Sequence, residues 1–248
     1  MKKLNLISTL LTVLIVLMGC KKECTFVYSK WTQCSNNIQT RTYTSSPSGC
    51  TGTPPADSLQ RPCVILPTVQ IGKQTWTIKN LDTANYRNGD PIPQVQDAKA
   101  WANLKTGAWC YYENKGENGT TYGKLYNLFA VVDPRGLAPN GYHIPTKAEW
   151  KILTDYLGGE NEAADKMKSS TGWRFLNGSN SSGFSGLPGG ARACDEIDRM
   201  FWGIGDRAQW WSSSNDYKSS MCCYIEENYV KYFQQYETFG FSVRCLKD

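Results

Sequence analysis

Gly141-Tyr-His-Ile-Pro-Thr-Lys-Ala-Glu-Trp150 carries the signature of an extended segment that turns into a capped helix. Pro145 closes the extended part. Thr146 stands at the N-cap position with Glu149 three residues on, the spacing of a capping box in which hydroxyl and carboxylate each satisfy a backbone N–H at the helix start. Ile152, Leu153, Tyr156 and Leu157 follow Trp150 at helical spacing, and Gly158-Gly159 ends the run. A strand therefore leads into an amphipathic helix with a tryptophan in its first turn. This pattern speaks of fold and names no chemistry.

Working outward, Val69 to Ile78 alternates around Gly72-Lys73 and predicts a β-hairpin. Asn80 to Pro93 is turn-rich, Gln96 to Leu104 predicts a short helix, and Ala108 to Tyr112 a strand. Glu113 to Thr121 is a polar loop, and Tyr122 to Val132 fits either a helix or a buried strand. A second helix is expected near Glu160 to Lys168, with Ala163, Ala164 and Met167 on one face. From Ser169 onward Gly, Ser and Asn dominate and regular structure should be short. Phe239 to Cys245 alternates as a closing strand that could pair with the first hairpin and bring the ends of a 67–248 domain together. The class is α+β, with much irregular structure.

The start of the chain reads as a leader over 1–19. Lys2 and Lys3 form a basic patch, and Leu4 to Met18 is mostly apolar. That run of about 15 residues is short of the roughly 20 that span a bilayer. Leu17-Met18-Gly19-Cys20 resembles a bacterial lipobox. The resemblance implies cleavage before Cys20 and acylation of that cysteine, palmitate included. Such chains would anchor the protein in a cell envelope, most simply the outer membrane of a Gram-negative bacterium. Without Lys2 and Lys3 the net charge falls from +5 to about +3, with no basic block, which argues against a nucleic-acid partner.

Nine of the ten cysteines follow Cys20. Export makes disulfides the expected state, and zinc is disfavoured by the absence of C-x-x-C and a single histidine, His143. Cys24, Cys34, Cys50 and Cys63 fall in a segment of about 40 residues, too small for an apolar core without staples. Phe26 to Trp31 and Gln39 to Thr44 alternate like strands. Paired antiparallel, they could stack Arg41 on Trp31, worth about 0.5–2 kcal/mol. The residues fit a generic stapled stalk. They also carry a resemblance: CTFVYSKWTQCS (24–35), QTRTYTSS (39–46), SGCTG (48–52) and LQRPC (59–63) are similar to a thrombospondin type 1 repeat. That resemblance implies an adhesion or spacer module over 20–66, with Cys24 joined to Cys50 and Cys34 to Cys63. The departures are Asn37-Ile38 in place of the second cysteine of the usual CSxxC, and a ladder reduced to one Trp and one Arg.

The large domain resembles a second family. IGKQTWTIKNL (71–81), TGAWCYYEN (106–114), YGKLYNLFAV (122–131), LAPNGYHIPTKAEW (137–150), GFSGLPGGAR (183–192), WWSSS (210–214) and GFSVRCLKD (240–248) occur in the order of the Fibrobacter succinogenes major paralogous domain, a family of surface lipoprotein modules without assigned activity. The PTKAEW helix and GFSVRC ending also resemble, more distantly, the formylglycine-generating and sulfatase-modifying enzymes, which implies a C-type-lectin-like fold.

Candidate chemistry is sparse. Those enzymes use paired cysteines that bind copper, yet nothing around the adjacent Cys222 and Cys223 reproduces such a site, so no catalytic residue is assigned. One of the two is expected to pair with Cys194, and Cys110 with Cys245, leaving one thiol over. His143 reads as structural. Asp195, Glu196, Asp198, Asp206, Asn215, Asp216 and Glu226-Glu227 read as solvated. The metal content is unknown: calcium could use oxygens in the loops, though no D-x-[DN]-x-[DN]-G is present, and no cofactor is otherwise expected. Trp173, Trp202, Trp210, Trp211 and neighbouring tyrosines read as core before platform, with 217–236 the expected exposed portion. Together these readings describe a non-catalytic surface module for a glycan or protein ligand. The alternatives are an oxidase-like enzyme and a structural envelope component.

Overall fold

A computed structural model of the chain describes residues 23–32, 35–36, 38–48, 50, 52–55, 58–194, 200–216, 219–226 and 228–248, with the side chains of 215, 216 and 219–222 left undescribed. The leader, Cys20, Cys34, Asp195, Glu196, Asp198, Tyr217 and Glu227 lie outside the described residues. The chain divides into two compact units, one within Met1–Thr32 and Gln39–Arg61, the other within Gln33–Ile38 and Pro62–Asp248.

The small unit has strands β1 (Thr25–Tyr28), β2 (Ile38–Thr40), β3 (Tyr43–Ser46) and β4 (Gln60–Pro62). β1 pairs antiparallel with β3, Tyr28 facing Tyr43, and β2 pairs with β4. Its order comes from stacking. The Arg41 guanidinium lies 4.1 Å from the Tyr28 ring centroid and 4.4 Å from that of Trp31, and Arg61 lies 4.4 Å from Trp31. Arg61 is thus a second arginine in a ladder where the sequence suggested one. It also donates from Nε to Gln39 Oε1 at 2.8 Å, and Gln39 donates to the Thr32 carbonyl at 3.0 Å. Cys24 is bonded to Cys50. Cys63 is disulfide-bonded as well, while the Cys34 expected for it lies outside the described residues.

The large unit is α+β, with small sheets and few helices. In order it contains β5 (Thr68–Ile71), β6 (Gln74–Thr77), α1 (Ala98–Ala102), β7 (Trp109–Cys110), α2 (Gly116–Tyr122), β8 (Leu125–Tyr126), α3 (Leu128–Val131), β9 (Tyr142–His143), α4 (Lys147–Tyr156) and α5 (Glu160–Met167). Then come β10 (Gly189–Arg192), β11 (Phe201–Ile204), β12 (Arg207–Asp216), β13 (Ser219–Glu226), β14 (Tyr229–Gln235) and β15 (Leu246–Lys247). One sheet runs β5-β6-β15-β9, with Leu246 between Trp76 and His143, so the two ends of the unit meet. The closing strand is shorter and later than its alternation suggested. Phe241 and Ser242 make single bridges to Tyr126 and Trp210 instead, because three separate segments crowd onto that stretch.

Four other expectations are corrected. The polar loop at 113–121 contains α2, where tertiary packing overrides poor propensity: Gly119 sits so tightly on the Tyr111 ring that a Cβ would lie 2.1 Å from it. The 122–132 stretch is strand and helix in turn, divided by Asn127, whose side chain caps α3 by accepting from Ala130 N–H. On α4 the buried residues are Trp150, Leu153 and Thr154, with Leu157 buried just past its end, while Ile152 and Tyr156 point to solvent. The glycine-rich half holds the longest strands of all, the antiparallel meander β12-β13-β14.

The core is aromatic. Trp76 and Trp150 lie 4.6 Å apart, Trp150 stacks on Trp210 at 5.8 Å, and Phe184 meets Trp210 edge-on at 5.5 Å. Irregular backbone leaves carbonyls without ladder partners, and buried cations serve them. Arg244, 0 % exposed, donates to the carbonyls of Thr77, Phe184 and Ser185 and to Asn80 Oδ1. Burial pushes its pKa down to about 9, with the neighbouring Cys245 opposing. Arg192 does the same for Val95, Gln96 and Asp97 and stacks 4.2 Å over Trp101.

Candidate ligand-binding cleft

α5 ends at Met167, and the next residue, Lys168, is pulled into the interior with its ammonium 4.5 Å from the Trp173 ring centroid. Burial lowers the Lys168 pKa, with Asp165 opposing. The indole of Trp173 donates to Ser169 Oγ at 3.2 Å and to the Gly186 carbonyl at 3.1 Å, which fixes the ring. The loop then rises, and Phe175 stands 83 % exposed beside Leu176.

Across from this loop runs the tight turn from β11 to β12. Gly203 and Gly205 both take φ of +81°, a conformation that L side chains rarely adopt, and the turn closes through Asp206 N–H to the Gly203 carbonyl at 3.0 Å. Arg174 N–H donates to the Gly205 carbonyl at 2.7 Å, and its guanidinium meets Asp206 Oδ2 at 2.9 Å. The other Asp206 oxygen, Oδ1, is buried without a hydrogen-bond donor. Arg207 opens β12, lies 5.2 Å from the Trp202 centroid and pairs with Glu226 at the facing end of β13. Burial alone would raise the Glu226 pKa. Hydrogen bonds from Tyr224, Tyr229 and Arg207, with the charge of Arg207, outweigh it and hold the carboxyl below its ordinary range.

These elements enclose an open cleft of about 580 Å³, within the size range of small-molecule sites. Three rings line it, from Trp173, Phe175 and Trp202, with Lys168, Asp206, Arg207 and Glu226 among them. Aromatic faces with paired, fixed polar groups can stack an amphipathic ring and hydrogen-bond its edge. The sequence brought Trp173 and Trp202 into consideration but not Phe175, Lys168, Arg174 or Arg207. Arg207 alone carried a signal, its closeness to Gly203 and Gly205; Lys168, Arg174 and Phe175 lie about 30 residues away and are brought to the turn only by the fold.

The remaining candidates fall elsewhere. Trp210 and Trp211 are wholly buried core. Thr146 and Glu149 form the capping box of α4, and Glu149 also accepts from His143 Nε2 at 3.0 Å. His143 Nδ1 meets Asp248 at 2.8 Å. Burial of the imidazole favours its neutral form, yet hydrogen bonds and charge from Asp248 and Glu149 prevail and raise its pKa. The ring therefore fastens the closing strand to the first turn of α4.

The expected Cys110–Cys245 disulfide is not formed: both are buried thiols in different parts of the core. Cys110 faces Leu125 across β7–β8, while Cys245 is held by reciprocal bonds to Thr77. Burial pushes the thiols up to about 11 and about 12, with Arg192 and Arg244 respectively opposing. Cys223 is buried between Trp210 and Tyr232 on neighbouring strands. Cys194 is half-buried just after β10, and the Cys222 side chain lies outside the described residues, so the expected Cys194 pairing falls partly outside them. No group of three or more His, Cys, Asp or Glu side chains among the described residues is placed to hold a metal ion.

Residues 69–247 match the Fibrobacter succinogenes major domain. No curated protein and no solved structure matches the chain.

Proposed function

The chain belongs to the Fibrobacter succinogenes major domain family, and from that premise we propose that it is a lipid-anchored cell-envelope protein that binds a glycan without transforming it. The observation that carries this is the cleft: an 83 %-exposed phenylalanine and two tryptophans beside ion-paired side chains, in an open volume of about 580 Å³. Phe175 and Leu176 stand exposed side by side in its lining, and an apolar patch beside polar groups marks a ligand-binding groove. Leu17-Met18-Gly19-Cys20 supports acylation at Cys20 and an envelope location, with the outer membrane the natural destination. The Tyr28-Arg41-Trp31-Arg61 ladder supports reading the small unit as a thrombospondin-like adhesion or spacer module. The pairing of both ends of the large unit around a loop-rich middle supports a lectin-like fold.

Binding is favoured over oxidase chemistry because Cys110 and Cys245 lie buried in different parts of the core and make no paired-thiol site between them. The test is a screen of the full chain in detergent against a broad glycan panel, with the Phe175→Ala variant beside it. Saturable binding that the variant weakens is expected. Binding unaffected by Phe175→Ala would move the site off this cleft.

A further inference from the structure

We infer that the cleft selects an uncharged pyranose, held by ion pairs in place of a bridging metal ion; the inference rests on the glycan-binding reading above. The reason lies in how the charges are committed. Arg207 is paired with Glu226, Arg174 with Asp206, and the Lys168 ammonium lies buried over Trp173. Each cation at the cleft already faces a carboxylate or a ring. A carboxylated or sulfated sugar would have to displace Glu226 to take over Arg207, the guanidinium that lines the cleft, leaving a partly buried carboxylate without its partner.

A neutral sugar meets no such penalty. Its hydroxyls donate and accept at once, and a guanidinium–carboxylate pair offers a donor and an acceptor side by side, matched to neighbouring hydroxyls. The apolar face of the sugar ring meets the aromatic lining. Trp202 flanks the Arg207–Glu226 pair, and Phe175 stands on the opposing loop.

The carboxylates also point to binding without a metal ion. Glu226 is engaged by Tyr229 and Arg207, and Asp206 by Arg174, which leaves neither as a ready cation ligand. The proposal therefore separates neutral from acidic ligands and chelated from calcium-containing buffer.

The experiment is calorimetric titration of the full chain with matched glycans, each neutral sugar beside its uronic-acid or sialylated counterpart, with calcium and with chelator. Wild type, Phe175→Ala and Glu226→Gln are compared after circular dichroism has shown each folded. Neutral glycans should bind at least about tenfold more tightly than acidic ones, equally with and without chelator. Phe175→Ala should weaken them by roughly fivefold to tenfold. Glu226→Gln, which frees the Arg207 guanidinium, should narrow or reverse the preference toward acidic sugars. Tighter acidic binding that Phe175→Ala still weakens would overturn the neutral class and leave the cleft as the site. Binding lost in chelator would overturn the metal-free claim. No binding of any glycan would overturn the underlying reading as well.

Discussion

At the scale of single residues, two side chains hold the large unit together in ways that a residue count conceals. Arg244 donates four hydrogen bonds from a site without solvent and serves the carbonyls of Phe184 and Ser185, in a loop with no ladder of its own, and that of Thr77 at the end of β6. Its replacement by Met should cost about 3–4 kcal/mol, read as a lower denaturation midpoint at unchanged slope; a loss below about 1 kcal/mol would deny it that role. His143 makes a pH prediction. Its folded pKa lies above the ordinary 6.5, so its contribution is complete below that value and fades as pH rises through the folded pKa. Glu149 is shifted the other way: burial would raise its pKa, but bonds from Thr146 and His143 lower it, so its contribution is present above 4.5 and fades as pH falls through the folded value. Stability from this pair should peak between about pH 4.5 and 6.5. His143→Gln should flatten the upper flank of a melting-temperature profile, and an unchanged upper flank would show that the imidazole is a bystander. The sequence offered His143 as a hydrogen-bonded residue of the segment before α4, and the structure places hydrogen bonds on both of its ring nitrogens. Its two carboxylate partners were not legible in the sequence, because Asp248 lies far from it in the chain and only the fold brings them together.

At the scale of elements, α4 shows what local spacing can and cannot carry. The capping box is a local arrangement, and Thr146, Glu149 and the glycine stop form as their spacing predicts, with Gly158 and Gly159 at positive φ. Thr146→Ala should cost about 1 kcal/mol in equilibrium unfolding, and a neutral result would assign the helix start to packing of Trp150 alone. Which face of α4 is buried was less legible, since Ile152 and Tyr156 are apolar yet lie outside. The meander β12-β13-β14 escaped notice for a related reason. Its strands mix buried Trp210 and Trp211 with serines, and pairing partners such as Cys223 and Tyr232 supply an order that no single segment displays. The same meander carries the candidate site, because the start of β12 and the end of β13 bring Arg207 to Glu226. The cleft was therefore only partly readable: its tryptophans could be named, but their ionic partners depended on strand register.

At the scale of the whole molecule, the chain joins three parts of different kinds: an apolar leader ending at Cys20, proposed as the anchor, a stacked and stapled small unit, and a domain of the Fibrobacter succinogenes major domain family, proposed as the binding unit. The first part predicts that Cys20→Ala moves the protein from the detergent-requiring membrane fraction to the soluble one. Retention in the membrane fraction would place the anchor elsewhere. The central claim concerns the third part, and a crystal structure of the full chain with a neutral oligosaccharide tests it most directly. The account predicts one pyranose in the cleft, its ring against Trp202 and Phe175 and its hydroxyls on Arg207 and Glu226. A sugar seated instead on the exposed Tyr236, at the outer end of the Tyr236–Phe239–Phe241 stack, with the cleft empty, would contradict it.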